Sequence, residues 1–211
     1  MKGIYLVTDQ KACLGRPLES VVEQAARAGV ACVQLREKQA STRDFLTQAR
    51  KLKELLAPYT IPLIINDRLD IALAVEAHGV HLGQTDMDPE TARRLLGPQA
   101  IIGLSVETWE DVEAARDRGV DYLGVSPVFP TPTKIDTKTP WELEGLQRIR
   151  KHVALPLVAI GGLHRENAGQ VIQAGADSVA VVSAICSAED PFRATQELVS
   201  IFSTLYEEKS P

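Results

Sequence analysis

Eight times along the chain, a short apolar run rich in β-branched residues gives way to a longer segment with helical periodicity. The runs predict strands over 4–8, 31–35, 61–65, 79–82, 100–104, 122–125, 155–160 and 178–182. The segments behind them predict helices over 18–29, 42–57, 69–76, 89–96, 109–118, 141–152, 166–174 and 191–206. Start signals support several of these helices. Asp88-Pro89 and Asp190-Pro191 read as N-cap plus first-turn proline, Thr108 as the N-cap before Trp109, and Thr139-Pro140-Trp141-Glu142 as a capping box. Gly29, Gly119 and Gly175 stand where helices should stop. Eight βα units of about 26 residues each predict an α/β fold, a single (β/α)8 barrel of the TIM type spanning 1–211 as one domain. A doubly wound sheet is the competing architecture. It expects a glycine-rich G-x-G-x-x-G after the first strand, where this chain has Thr8-Asp9-Gln10.

A formal net charge of −5 argues against nucleic-acid or membrane-surface binding through bulk charge. Uncharged runs such as 153–163 and 178–188 fall well short of the roughly 18 residues a membrane span needs. Met1-Lys2-Gly3-Ile4-Tyr5 leads straight into a strand without a signal-peptide pattern. Cys13, Cys32 and Cys186 are scattered and lack metal-ligand spacing. A reducing cytoplasm is therefore expected, and a homo-oligomer is compatible with the sequence.

In such a barrel the chemistry lies at the carboxyl ends of the strands and in the loops after them. Side chains alternate along a strand, so Gln34, Arg36 and Lys38 share one face and Leu35 and Glu37 the other. Three long donors on one side of a barrel mouth suit an anion. Neighbouring strands lie about 4.8 Å apart, so Asp67 (after strand 3) and Asp86 (after strand 4) can converge. Two carboxylates together with phosphate oxygens suit Mg²⁺. Asp88 already fills the capping role, which leaves Asp86 free for the metal. His81, within strand 4, reads as a core or supporting residue, and Ser105 as a substrate contact.

Residues 126–139 form a long loop carrying Thr131, Thr133 and Lys134 on a proline-stiffened backbone. Lys138, nearer helix 6, reads as a bystander. Gly161-Gly162 after strand 7 and Ser183 after strand 8 suit a monophosphate. The residues thus predict two anion sites, one metal-assisted and suited to a diphosphate, the other suited to a monophosphate. An enzyme joining a diphosphate-activated electrophile to a phosphorylated nucleophile would use both.

The set resembles the thiamin phosphate synthase family over nearly the whole chain. The matching segments include Tyr5-Leu6-Val7-Thr8-Asp9, Gln34-Leu35-Arg36-Glu37-Lys38, Ile65-Asn66-Asp67-Arg68, and Gly79-Val80-His81-Leu82-Gly83-Gln84 with Asp86. Further along they include Ile102-Gly103-Leu104-Ser105, the run from Val128 to Lys134, Ala159-Ile160-Gly161-Gly162, and Val181-Val182-Ser183-Ala184-Ile185. The resemblance implies union of 4-amino-5-hydroxymethyl-2-methylpyrimidine diphosphate with 4-methyl-5-(2-hydroxyethyl)thiazole phosphate, giving thiamine monophosphate and pyrophosphate.

Carried over by motif, Gln34, Arg36, Lys38, Asn66, Ser105 and Lys134 would hold the pyrimidine diphosphate. Asp67 and Asp86 would ligate Mg²⁺, while Thr131, Thr133, Gly162, Val182 and Ser183 would hold the thiazole phosphate. Leu35, Glu37 and Pro132, inside the same segments, are carried with them as substrate contacts. Arg36, Lys38, Ser105 and Lys134 would act on the reacting charge.

Two departures stand out. Gly124-Val125-Ser126-Pro127 replaces the common Gly-x-Gly-Pro, and Val106-Glu107 follows Ser105 where many relatives carry a His. The implied chemistry is dissociative substitution at carbon, which needs no protein nucleophile. A thiazole tautomerase of related fold, which would need an acid/base group at the mouth, and a non-catalytic phosphate-ligand binder are the rival readings.

Overall fold

The computed structural model describes residues 2–131 and 138–207. Eight strands run parallel and close on themselves in chain order: β1 (Gly3–Val7), β2 (Cys32–Leu35), β3 (Leu63–Asn66), β4 (Gly79–Leu82), β5 (Ile101–Val106), β6 (Tyr122–Val125), β7 (Leu157–Ile160) and β8 (Ser178–Val181). β8 pairs back onto β1, with Tyr5 opposite Ala180. Around them lie α1 (Leu18–Arg27), α2 (Thr42–Leu56), α3 (Leu69–Ala74), α4 (Pro89–Leu96), α5 (Trp109–Ala115), α6 (Glu142–His152), α7 (Arg165–Gln173), α8 (Ser183–Cys186) and α9 (Pro191–Glu207). The architecture is the expected (β/α)8 barrel.

Strand periodicity sorts the core into two layers. Ile4 and Leu6, Val33 and Leu35, Leu63 and Ile65, and their counterparts on later strands face outward and are buried under the helices. Truncating one of these, as in Leu35→Ala, should cost about 2–5 kcal/mol. Tyr5, Val7, Cys32, Ile64, Tyr122, Val158 and Ala180 point inward and fill the barrel. Polar residues of the same inward parity are thereby delivered to one mouth.

Most helix signals behave as their chemistry requires. Asp88 accepts from the Thr91 amide at 2.8 Å and Asp190 from the Arg193 amide at 3.0 Å. Thr108 forms a full capping box with Asp111. Gly29, Gly119 and Gly175 follow their helices at φ of 94°, 65° and 113°.

The box expected at Thr139 does not form: α6 starts at Glu142, and its N-cap, Trp141, makes no side-chain cap bond. The reason lies in the preceding loop. The amides of Trp141 and Glu142 are taken by the carbonyls of Pro127 (2.9 Å) and Val128 (3.0 Å), leaving Thr139 no donor to satisfy there. β5 runs two residues beyond its predicted end, so Ser105 lies within the strand. The four-residue α8 after β8 is too short to carry a periodicity signal in the sequence.

Candidate active site

Two adjoining cavities of about 460 Å³ and 430 Å³ lie at the carboxyl ends of the strands. Val7, Arg36, Ser126, Ile160 and Ala180 line both, so they meet along a common wall.

The first cavity is built largely from backbone. Gly161, Gly162, Val182, Ser183 and Ala184 line it, with Thr131 and His164. Both glycines hold positive φ, 105° and 64°, and both are packed beneath the long loop. A Cβ on Gly161 would sit 2.6 Å from Pro127 Cβ, and one on Gly162 would sit 2.6 Å from Pro130 O. No other residue type gives that loop its seat. Arg16, in the loop after β1, fastens the carboxyl end of α8, donating to Cys186 O at 2.7 Å and Ala188 O at 2.6 Å. Those carbonyls lack helical partners, and a planar guanidinium can serve both at once.

The second cavity is lined by charged and polar side chains. Thr8, fully buried, accepts the Arg36 amide on its Oγ1 at 3.1 Å, while its own amide bonds Gln34 O at 2.9 Å. This lock sends Gln34, Arg36 and Lys38 to the cavity. Asp9 lies 3.7 Å from the Arg36 guanidinium. Leu35 and Glu37 point the other way, as alternation requires. Leu35 is sealed in the outer core, and Glu37 packs near Asp9, where burial and that carboxylate push its own carboxyl above the usual range. Neither lines a cavity among the described residues.

Asn66, Asp67 and Asp86 line the same cavity. Asp67 occupies the left-handed region at φ 60°, its amide held by His81 O at 2.8 Å. A non-glycine residue there costs roughly 1–2 kcal/mol and marks a position over-determined by its surroundings. Lys38 Nζ pairs with Asp67 at 2.5 Å. Asp86 Oδ2 accepts the Gly83 amide at 2.7 Å. Partial burial raises the Asp86 carboxyl above the ordinary range, and the hydrogen-bonded Asp67 carboxyl raises it further. The Gly83 amide and Lys38 act in the opposite sense. Two crowded carboxylates with a lysine drawn onto them are what a divalent cation would relieve, so the residues fit Mg²⁺. Among the described residues no three His, Cys, Asp or Glu side chains gather as a metal cage.

Ser105 also lines this cavity, and His81 Nε2 lies 2.8 Å from its Oγ. Glu107 and Lys138 line the cavity too. Pro132, Thr133 and Lys134 lie outside the described residues. Sequence reasoning gave no role to Tyr5 and Tyr122, which also line it. The available signal was Gly103 and Gly124, two strand glycines of inward parity. A Cβ on Gly103 would lie 2.1 Å from the Tyr122 ring and 2.6 Å from His81 Nδ1, and one on Gly124 would lie 2.8 Å from His81 Cε1.

Comparison with known proteins places the chain. The family model for thiamine monophosphate synthase matches residues 4–185. The chain belongs to the thiamine monophosphate synthase family. It is 62% identical over 188 residues to a thiamine-phosphate synthase of Albidiferax ferrireducens, covering 89% of this chain and 86% of that one. A thiamine-phosphate synthase of Leptospira biflexa is 52% identical over 206 residues, covering 96% and 98%. The solved thiamine phosphate pyrophosphorylase from Pyrococcus furiosus superposes with a TM-score of 0.87 at 38% identity, covering 96% of each chain. As a member of this family, the chain is a transferase of thiamine biosynthesis. Among the described residues no helix is long and apolar enough to cross a membrane.

Proposed function

We propose that this chain joins 4-amino-5-hydroxymethyl-2-methylpyrimidine diphosphate to 4-methyl-5-(2-hydroxyethyl)thiazole phosphate, releasing pyrophosphate and thiamine monophosphate. One observation carries the reading: two anion-suited cavities of different construction meet at a wall that includes Arg36. A single phosphorylated ligand would not need both.

On this reading Gln34, Asn66 and Ser105 hold the pyrimidine diphosphate, with Arg36 and Lys38 against its phosphates. Lys134 belongs with them from the long loop. Gly162, Val182, Ser183 and Thr131, with Pro132 and Thr133 beyond it, hold the thiazole phosphate. Leu35 and Glu37 support their strand rather than touch substrate. Asp67 and Asp86 would hold Mg²⁺, which when bound neutralises charge on the diphosphate. The C–O bond to the pyrimidine's methylene breaks, both electrons leave with pyrophosphate, and the ring's amino group stabilises the cation until the thiazole nitrogen adds. Arg36, Lys38 and the Ser105 hydroxyl meet the growing charge on the leaving oxygens, and the shared wall sets the two reactants' approach. Ser126, which lines both cavities, stands where the family resemblance leads one to expect glycine.

The test is direct. The protein, both substrates and Mg²⁺ should give thiamine monophosphate and pyrophosphate in equal amounts. Binding of both phosphates without product would overturn the reading in favour of a ligand binder.

A further inference from the structure

Five polar side chains from five different strands form one continuous line across the barrel interior. Gln34 Nε2 lies 3.0 Å from Tyr5 Oη. Tyr5 Oη is 2.9 Å from Tyr122 Oη, and Tyr122 Oη is 2.9 Å from His81 Nδ1. His81 Nε2 is 2.8 Å from Ser105 Oγ. The line is built rather than incidental. The two tyrosines are 1% exposed, and the His81 and Tyr122 rings stack with centroids 5.5 Å apart. The space they occupy exists because Gly103 and Gly124 lack a Cβ.

Such a line has a direction, because each hydroxyl carries one proton and each ring nitrogen either donates or accepts. We infer that Tyr5, Tyr122 and His81 are positioning residues that act through Ser105, orienting its hydroxyl proton into the diphosphate cavity. The amide nitrogen of Gln34 can only donate, so Tyr5 accepts there, and a line that uses each hydroxyl proton along its length runs from Tyr5 to Tyr122. Tyr122 then donates to His81 Nδ1, which must be the acceptor nitrogen. The neutral imidazole therefore carries its hydrogen on Nε2 and gives it to Ser105 Oγ. With its oxygen so engaged, the Ser105 hydroxyl has its own proton left for an acceptor in the cavity. Burial holds both phenols well above their ordinary range, which keeps one proton on each. Reversing the line would make Ser105 donate to His81 and turn lone pairs toward an anion, which opposes binding.

The consequence for catalysis rests on the proposed reaction, whereas the direction itself does not. Long-range ¹H–¹⁵N spectra of the ligand-free protein, assigned with His81→Gln, should show His81 neutral, protonated on Nε2 alone. Hydrogen on Nδ1, alone or with Nε2, overturns the inference. Tyr122→Phe removes the donor to Nδ1 and should bring in the second tautomer. It should also lower kcat by about 10–100-fold, the range for partners behind a contact group. KM for the thiazole phosphate, bound in the other cavity, should stay as in wild type. An unchanged imidazole spectrum together with unchanged kcat in Tyr122→Phe would overturn it as well. A wild-type protein that forms no product yet shows the Nε2 tautomer would refute the proposed reaction and support the line's direction.

Discussion

Replacing Asp67 with asparagine separates a structural role from a metal-binding one. The change keeps the shape and removes the charge. Its structural cost follows from three features of the site. The Lys38–Asp67 pair is short, but Lys38 is 54% exposed, so solvent screening limits the pair to about 1 kcal/mol at most. Asp67 sits at φ 60°, and asparagine adopts the left-handed region as readily as aspartate, so no strain is added. Removing one of two crowded carboxylates also relieves repulsion with Asp86. The net stability change should stay within about 1 kcal/mol, read from urea unfolding without metal.

Activity should respond very differently. With one carboxylate gone, a diphosphate-bound Mg²⁺ loses a charged ligand. Turnover should fall by about 10²–10³, the size of losing one preorganised electrostatic group, with the Mg²⁺ requirement shifted upward. Initial rates of pyrophosphate release against Mg²⁺ concentration would show both effects. A variant that unfolds more than about 2 kcal/mol more easily would make Asp67 a structural residue. One that keeps full activity would remove it from the metal site.

Asp88→Ala should cost about 1 kcal/mol through loss of the α4 cap and leave turnover unchanged, measured by thermal unfolding and steady-state kinetics. Lys134→Ala should lower kcat by about 10²–10³. Lys138→Ala should raise the diphosphate's KM by at most about fivefold with kcat kept, since an exposed cation contributes little; equal kcat losses in the two variants would remove the distinction. Turnover should fall as pH drops through the raised Asp86 pKa, because the protonated carboxyl cannot serve a cation. Metal-free stability should change the other way: a carboxyl with a raised folded-state pKa favours folding while protonated, and that contribution is lost as pH rises through it. Asp86→Asn should flatten both profiles.

The barrel was legible because its signal is periodic and repeated: each strand places apolar residues outward at every second position, and no single segment had to be decisive. The same parity correctly separated Gln34, Arg36 and Lys38 from Leu35 and Glu37. Features that depend on contacts distant in sequence were not legible. Thr139 has the chemistry of a cap, yet Pro127 and Val128 satisfy the donors first. Tyr5 and Tyr122 are 117 residues apart and read as ordinary strand aromatics until closure of the barrel joins their hydroxyls. Lys138 looked remote by its place in the chain and proves to line the cavity.

The two cavities also differ in a way that suits their proposed ligands. In the proposed reaction the thiazole phosphate keeps its charge throughout, so tight binding there need not change toward the transition state. Its cavity is made of glycine and backbone seats beside α8. Four residues cannot sustain a helix alone, and the Arg16 fork on Cys186 O and Ala188 O supplies the external hold. The diphosphate gains charge on its leaving oxygens as the C–O bond breaks. Its cavity carries cationic side chains, two carboxylates suited to a metal, and a serine hydroxyl. Groups of that kind strengthen their interaction as charge develops, and only such differential contact accelerates bond breaking. A fixed cradle for the spectator phosphate and a responsive set for the leaving group are the division of labour that the proposed dissociative substitution would require. It also accounts for the lack of any demand for a protein nucleophile.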